Sequence, residues 1–197
     1  MAAYEEFPVT INETTKRLDI PEEFLTDARA AELEQVNQLA RELVALNADV
    51  PMPPNQINGK LTEQVRKMRE SGNLSFKKAQ YVDALRLYSL AIEMATKRSP
   101  WEASQYVREE TAVLFSNRAQ AYMASERWED GLADADMAIY LRRNQAKPYW
   151  RKGKCLQRLG RLAEARETFE LGLEFEPGEA DLQTALAAVI KELEAAD

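Results

Sequence analysis

Tyr81-Val82-Asp83-Ala84-Leu85, Trp128-Glu129-Asp130-Gly131-Leu132 and Leu162-Ala163-Glu164-Ala165-Arg166 are three versions of one phrase. Each opens on a large apolar residue and places a small one, Ala84, Gly131 or Ala165, three positions later. Gly131 and Ala165 stand 34 residues apart; Ala84 and Gly131 stand 47 apart, so 13 extra residues separate the first two copies. A 34-residue period with small residues at fixed places marks stacked helix–turn–helix units, an architecture that binds partners along an extended surface.

Working outward gives whole repeats at 65–98, 112–145 and 146–179. Counting each from 1 to 34, position 8 is Gly72, Ala119 and Gly153, position 20 is Ala84, Gly131 and Ala165, and position 27 is Ala91, Ala138 and Gly172. Small residues let helices cross closely, and large ones at positions 17 and 24 fill the space between. Tyr81, Tyr88, Trp128 and Phe169 are therefore expected in the core. The extra residues include Ser99-Pro100-Trp101-Glu102, which reads as a capping box with Pro at the first helical position. The first helix of repeat two is thus predicted from Pro100 to about Ala124, some three turns beyond the frame. Beyond Pro177-Gly178, residues 180–196 place Leu182, Leu186, Val189, Ile190 and Leu193 on one helical face, a cap for the open end of the stack.

Ahead of the repeats, Phe7, Val9 and Ile11 alternate around Pro8, as an edge strand or an extended arm. Asp19-Ile20-Pro21-Glu22 reads as a second capping box, predicting a helix to about Asn47. Its stripe of Leu25, Leu33, Val36, Leu39, Ala40, Leu43 and Val44 has to pack on the repeats or on another protein. Residues 48–55, with three prolines, form a stiff linker. The expected organisation is a docking segment and linker at 1–60 and a repeat domain at 61–197.

Composition narrows the function. The chain has no histidine and one cysteine, Cys155, so it lacks the commonest acid–base group and any multi-cysteine metal site. It shows no phosphate-binding glycine loop and no nucleophile paired with a base; neither an enzyme nor a cofactor or metal site is expected. No apolar run approaches the length of a membrane span, and the acidic start is unlike a signal peptide, so a cytoplasmic protein is expected. The net charge is −7, yet residues 142–166 carry nine basic residues against one acid, Glu164. A local charge of +8 on an acidic chain suits a small anionic ligand; a long polyanion such as nucleic acid would be repelled elsewhere.

These repeats resemble the tetratricopeptide family. The resemblance covers roughly residues 65–196 and implies an all-α, right-handed solenoid of three helix pairs with a capping helix. Departures are Gly131 in place of alanine and the absence of a closing proline in repeats one and two. In this family positions 2, 5, 6 and 9 of each first helix line a concave groove. Here they include Arg69 and Asn73, Asn117, and Lys147 and Arg151, three cations and two amides suited to paired carboxylates. The set resembles the carboxylate clamp of chaperone-binding tetratricopeptide domains, with Arg69 where the pattern has lysine. That implies as ligands the Glu-Glu-Val-Asp C-terminal tails of cytosolic heat-shock chaperones, the seventy-kilodalton class favoured, with affinity on the order of micromolar. Gln120 and Lys154 are candidate secondary contacts, and Trp150 is either groove wall or ordinary packing.

With its acidic N-terminal part, Pro-rich linker, extended helix and short cap, the chain also resembles the soluble tetratricopeptide subunits of the fungal post-translational translocation complex. This implies that residues 1–60 dock on a membrane-anchored sister subunit at the cytosolic face of the endoplasmic reticulum, where the groove captures chaperones delivering precursors. The alternative is a free cytosolic co-chaperone or scaffold binding other acidic peptides.

Overall fold

The computed structural model describes residues 8–12, 15, 17–45, 57–98 and 102–195. Phe7, the linker at 48–55, and Ser99, Pro100 and Trp101 of the second-repeat capping box lie outside them, as do the side chains of Leu43 and Val44. The chain divides into two units, 1–53 and 54–197.

In the first unit two residues of the alternating segment, Thr10 and Ile11, form a strand. β1 (Thr10–Ile11) pairs antiparallel with β2 (Leu18–Asp19), Thr10 opposite Asp19. The expected capping box at Asp19 does not form, because Asp19 belongs to β2 and Pro21 opens only a short 3-10 turn, Glu22–Phe24. Leu25 is extended, and helix α1 begins at Asp27 and runs to Ala45, with the Thr26 hydroxyl accepting from the Arg29 N–H at 3.3 Å. Asn37 of α1 is buried: its amide accepts from the Leu18 N–H (2.7 Å) and donates to the Leu18 carbonyl (2.8 Å), satisfying backbone that the two-residue ladder leaves unpaired. From the predicted stripe, Leu33, Leu39 and Ala40 are half-buried, whereas Leu25 and Val36 remain 41% and 45% exposed.

The second unit holds the repeats as three antiparallel pairs: α2 (Gly59–Lys77) with α3 (Tyr81–Thr96), α4 (Ser104–Ala124) with α5 (Trp128–Leu141), and α6 (Ala146–Arg158) with α7 (Leu162–Phe175). Helix α8 (Ala180–Glu194) follows. Each helix packs on its sequence neighbours, and α4 also touches both α2 and α6, which sets the first helices of the repeats side by side. The small positions are buried as expected, Ala84, Ala91, Ala119, Ala138 and Ala165 completely. A Cβ built on Gly153 would overlap the ring of Phe169, and one on Gly72 would lie 2.6 Å from that of Tyr88, so aromatic residues at position 24 press on the bare backbone of position 8. Tyr88 and Phe169 are core. Tyr81 and Trp128 are only half-buried, Tyr81 packing against Phe76 and Trp128 lying under the Arg158 guanidinium. Leu182, Ala185 and Val189 of α8 close the core around Phe169 and Leu156, while Ile190, expected on that face, stays 38% exposed.

The extended helix also differs from expectation. It begins at Ser104, two turns rather than three before the repeat frame, because Glu102 does not cap it. Glu102 turns inward, accepting from Arg98 at 2.7 Å and from the Asn58 N–H at 3.0 Å. Arg98 also grips Glu110 at 2.7 Å and donates to the Thr62 hydroxyl at 3.0 Å. All three charged side chains are over nine-tenths buried, tying the start of α2 to the α3–α4 connection.

Candidate peptide-binding groove

The first helices α2, α4 and α6 carry the predicted groove residues, and the structure brings four of the five together. Asn73 on α2 and Asn117 on α4 touch, the Asn117 amide donating to Asn73 Oδ1 at 3.2 Å. The same oxygen accepts from the Tyr88 hydroxyl at 2.7 Å. With its oxygen taken twice, Asn73 has its amide hydrogens left to donate. Burial pushes the Tyr88 phenol up to about 12, so it stays a donor at neutral pH.

Lys147, in the first turn of α6, is exposed and has no hydrogen-bond or ion-pair partner among the described residues. Arg151 follows one turn later. Its Nη1 donates to Ser116 Oγ at 2.7 Å and its Nε to Gln120 Oε1 at 3.0 Å, both neutral acceptors. Burial without a carboxylate lowers its guanidinium to about 10. Three adjoining hollows follow this line. One of about 340 Å³ is lined by Val113, Ser116, Asn117, Lys147, Arg151 and the acids Glu176 and Glu179. Another, of about 240 Å³, joins Asn73, Tyr88, Asn117, Gln120 and Arg151. In the third, of about 250 Å³, Gln120, Lys147 and Arg151 meet Trp150, with the acids Glu179 and Asp181 also on its wall.

Arg69 is not joined to this group. It is half-buried one turn before Asn73 and, among the described residues, has neither hydrogen bond nor ion pair. Gln120 lies in the groove as expected. Lys154 does not: its ammonium donates to Gln157 at 3.0 Å, and Gln157 donates on to Glu192 of α8 at 2.6 Å. Trp150 fills both roles weighed for it, packing on the Phe169 core while lining the third hollow. The basic window at 142–166 is not one positive face, since helical periodicity scatters it: Lys152 pairs with Asp136, Arg161 with Glu164, Arg166 with Glu170, and Arg158 stacks on Trp128. Sequence reasoning missed Ser116 as a guanidinium partner and Tyr88 as the donor that orients Asn73. Position 24 signals only packing, and nothing in its spacing shows where the hydroxyl ends.

No protein-family model matches the chain. It is 38% identical over 144 residues to the ER protein translocation subcomplex subunit sec67 of Schizosaccharomyces pombe, covering 71% of this chain and 75% of that protein. The chain belongs to the sec67 family of tetratricopeptide translocation subunits. Its backbone superposes on a chain of the cryo-EM structure of the Saccharomyces cerevisiae Sec complex with a TM-score of 0.71 and 25% identity, over 96% of this chain and all of that one. The repeat unit also matches the second TPR domain of human RPAP3 in complex with the HSP70 peptide SGPTIEEVD, at TM-score 0.56 and 29% identity, over 66% of this chain and 97% of that domain. Family and fold agree with the resemblances drawn from the repeats and linker. Among the described residues no helix is long and apolar enough to cross a membrane.

Proposed function

We propose that this chain is a non-catalytic adaptor whose groove holds the acidic C-terminal tail of a cytosolic heat-shock chaperone, the seventy-kilodalton class first, at the endoplasmic-reticulum translocation machinery. The observation that carries the proposal is Arg151: a desolvated cation bonded only to neutral groups, beside an unpartnered Lys147 and two mutually oriented amides. A half-buried, desolvated charge without a counter-charge is costly, and a ligand carboxylate is the group that relieves it. Asn73 and Asn117 then offer amide hydrogens to the terminal carboxylate, while Lys147 and Arg151 neutralise it and a neighbouring acidic side chain. Arg69 contributes long-range charge from the groove's edge. The likeness to a domain holding an HSP70 tail supports the ligand class, and the sec67 relationship supports the location. Residues 1–60 dock on a membrane-anchored sister subunit in this proposal.

Calorimetric titration with a peptide ending in Glu-Glu-Val-Asp tests the groove. Micromolar binding that weakens with added salt is expected, with loss on amidation of the C-terminus and in a Lys147→Ala, Arg151→Ala variant that keeps its helical circular dichroism. Undiminished binding of the amidated peptide would refute the clamp. Copurification in mild detergent tests the location: an integral membrane subunit should follow the whole chain and be lost when residues 1–60 are removed.

A further inference from the structure

The two additional turns of α4 are not used by the groove described above, yet they extend its line. Glu109, Val113 and Asn117 recur every four residues along one face of α4, and the last two border the 340 Å³ hollow. Glu109 borders a separate hollow of about 700 Å³, formed where the start of α4 overhangs the turn from α5 to α6. Arg108, Tyr140, Arg142, Arg143 and Asn144 also line it. Arg108 donates to the Leu141 carbonyl at 3.3 Å and Arg142 to Asn144 Oδ1 at 3.3 Å. Among the described residues none of the three arginines pairs with a carboxylate, and Glu109 is held by Gln105 at 3.2 Å. Three cations against one acid leave this hollow positive, and Tyr140, 70% exposed, offers a flat apolar wall beside them.

We infer that this hollow is a second subsite for the same polypeptide, taking acidic side chains that precede the C-terminus held by Lys147 and Arg151. The inference rests on the clamp proposed above. From Arg108 to Asn117 the helix rises about 13 Å, which an extended chain covers in about four residues. The subsite therefore reads acidic residues about four positions before the terminal carboxylate. It discriminates among tails that share the same last residues, through arginine forks that donate bidentately to carboxylates.

Three peptides and two proteins test this. A short peptide ends in Glu-Glu-Val-Asp; two longer ones add four residues upstream, either Asp/Glu or Gly/Ser. Both the whole chain and its Arg142→Gln, Arg143→Gln variant are titrated with each. The acidic extension should tighten binding to the native chain about tenfold, the Gly/Ser extension should not, and the variant should bind all three like the short peptide. Equal affinity of the two long peptides for the native chain overturns the subsite, as does an acidic gain that persists in the variant. Arginine-dependent sedimentation with phosphatidylserine vesicles, without any gain from the acidic extension, would assign the hollow to a lipid surface instead and overturn the peptide assignment. If the short peptide fails to bind the native chain, the clamp itself falls, and the extension with it.

Discussion

Replacing Arg151 by methionine should make the free protein more stable while destroying its ability to bind an acidic tail. Burial holds the guanidinium at about 10 against an ordinary value of 12.5. At 1.36 kcal/mol per pH unit, keeping it charged in the folded state costs about 3 kcal/mol. The sign follows from the direction of the shift. A cation whose folded value is lowered destabilises the fold at every pH below about 10, and the cost disappears only as pH rises from there toward 12.5. Lysines titrate in that range too, so substitution is the cleaner probe. Methionine keeps the alkyl volume, and Ser116 and Gln120 regain water in the open hollow. Because both neutral acceptors are rehydrated, losing their bonds to Arg151 subtracts about 1 kcal/mol each. The net gain is about 1–2 kcal/mol, a rise of about 3–8 °C in the melting midpoint. Differential scanning calorimetry of Arg151→Met reads it directly. Saturating acidic peptide should raise the midpoint of the native protein and leave the variant unmoved. A variant that melts at or below the native midpoint would show that Arg151 is not a strained charge. One that melts higher yet still binds the peptide would remove Arg151 from the clamp.

Position 15 of each repeat is left-handed, at φ 57° for Ala79, 58° for Glu126 and 76° for Gly160, so Ala79→Gly and Glu126→Gly should each stabilise by about 0.5–1 kcal/mol in urea unfolding and Gly160→Ala should cost about 1 kcal/mol. Gly153→Ala should cost about 1–3 kcal/mol by driving a methyl into the Phe169 ring, with partial rescue by Phe169→Leu in the same assay. Arg98→Met should cost about 3–5 kcal/mol, because it leaves the buried Glu102 and Glu110 carboxylates without a cation. The Cys155 thiol, buried and pushed up to about 12, should resist alkylation at pH 8 until the repeats are unfolded by denaturant.

The repeats were legible because their signal is steric and periodic. Ala84, Gly131 and Ala165 mark close crossings whatever the surroundings, so the frame and the capping role of α8 could be read before any coordinate. Helix starts were less legible where a local motif competed with a distant one. Glu102 has the spacing of a capping residue, but the buried Arg98, two residues past the end of α3, takes its carboxylate instead. Asp19 likewise fits a capping box and is claimed instead by a strand pairing with Thr10. In the groove, Asn73, Asn117, Lys147 and Arg151 could be named because the resemblance to tetratricopeptide repeats says which positions of each first helix face the groove. The environment of each could not: Tyr88 orienting Asn73, and Ser116 and Gln120 holding Arg151, are contacts between helices 15 to 35 residues apart in sequence.

The cations of this protein differ in how they are paired as well as in where they sit. Arg66, Arg127, Arg161 and Arg166 lie on outward faces and each holds a carboxylate three or four residues away on the helix or at its start. Such exposed pairs contribute a few tenths of a kcal/mol and chiefly keep the surface mixed in sign. Arg98 is buried and Arg118 half-buried, and each is matched to carboxylates on another segment, Arg118 to both oxygens of Asp134. Lys147, Arg151, Arg142 and Arg143 border hollows and, among the described residues, pair with no carboxylate; Lys154 and Arg158 are also without one, but they hold Gln157 and Trp128 outside the groove. Of the four that border hollows, Arg151 is the one whose guanidinium is costly to keep charged, because it is desolvated. Folding alone gives no reason for that cost; an incoming carboxylate does, and the same logic extends from the clamp to the arginines at the overhang of α4.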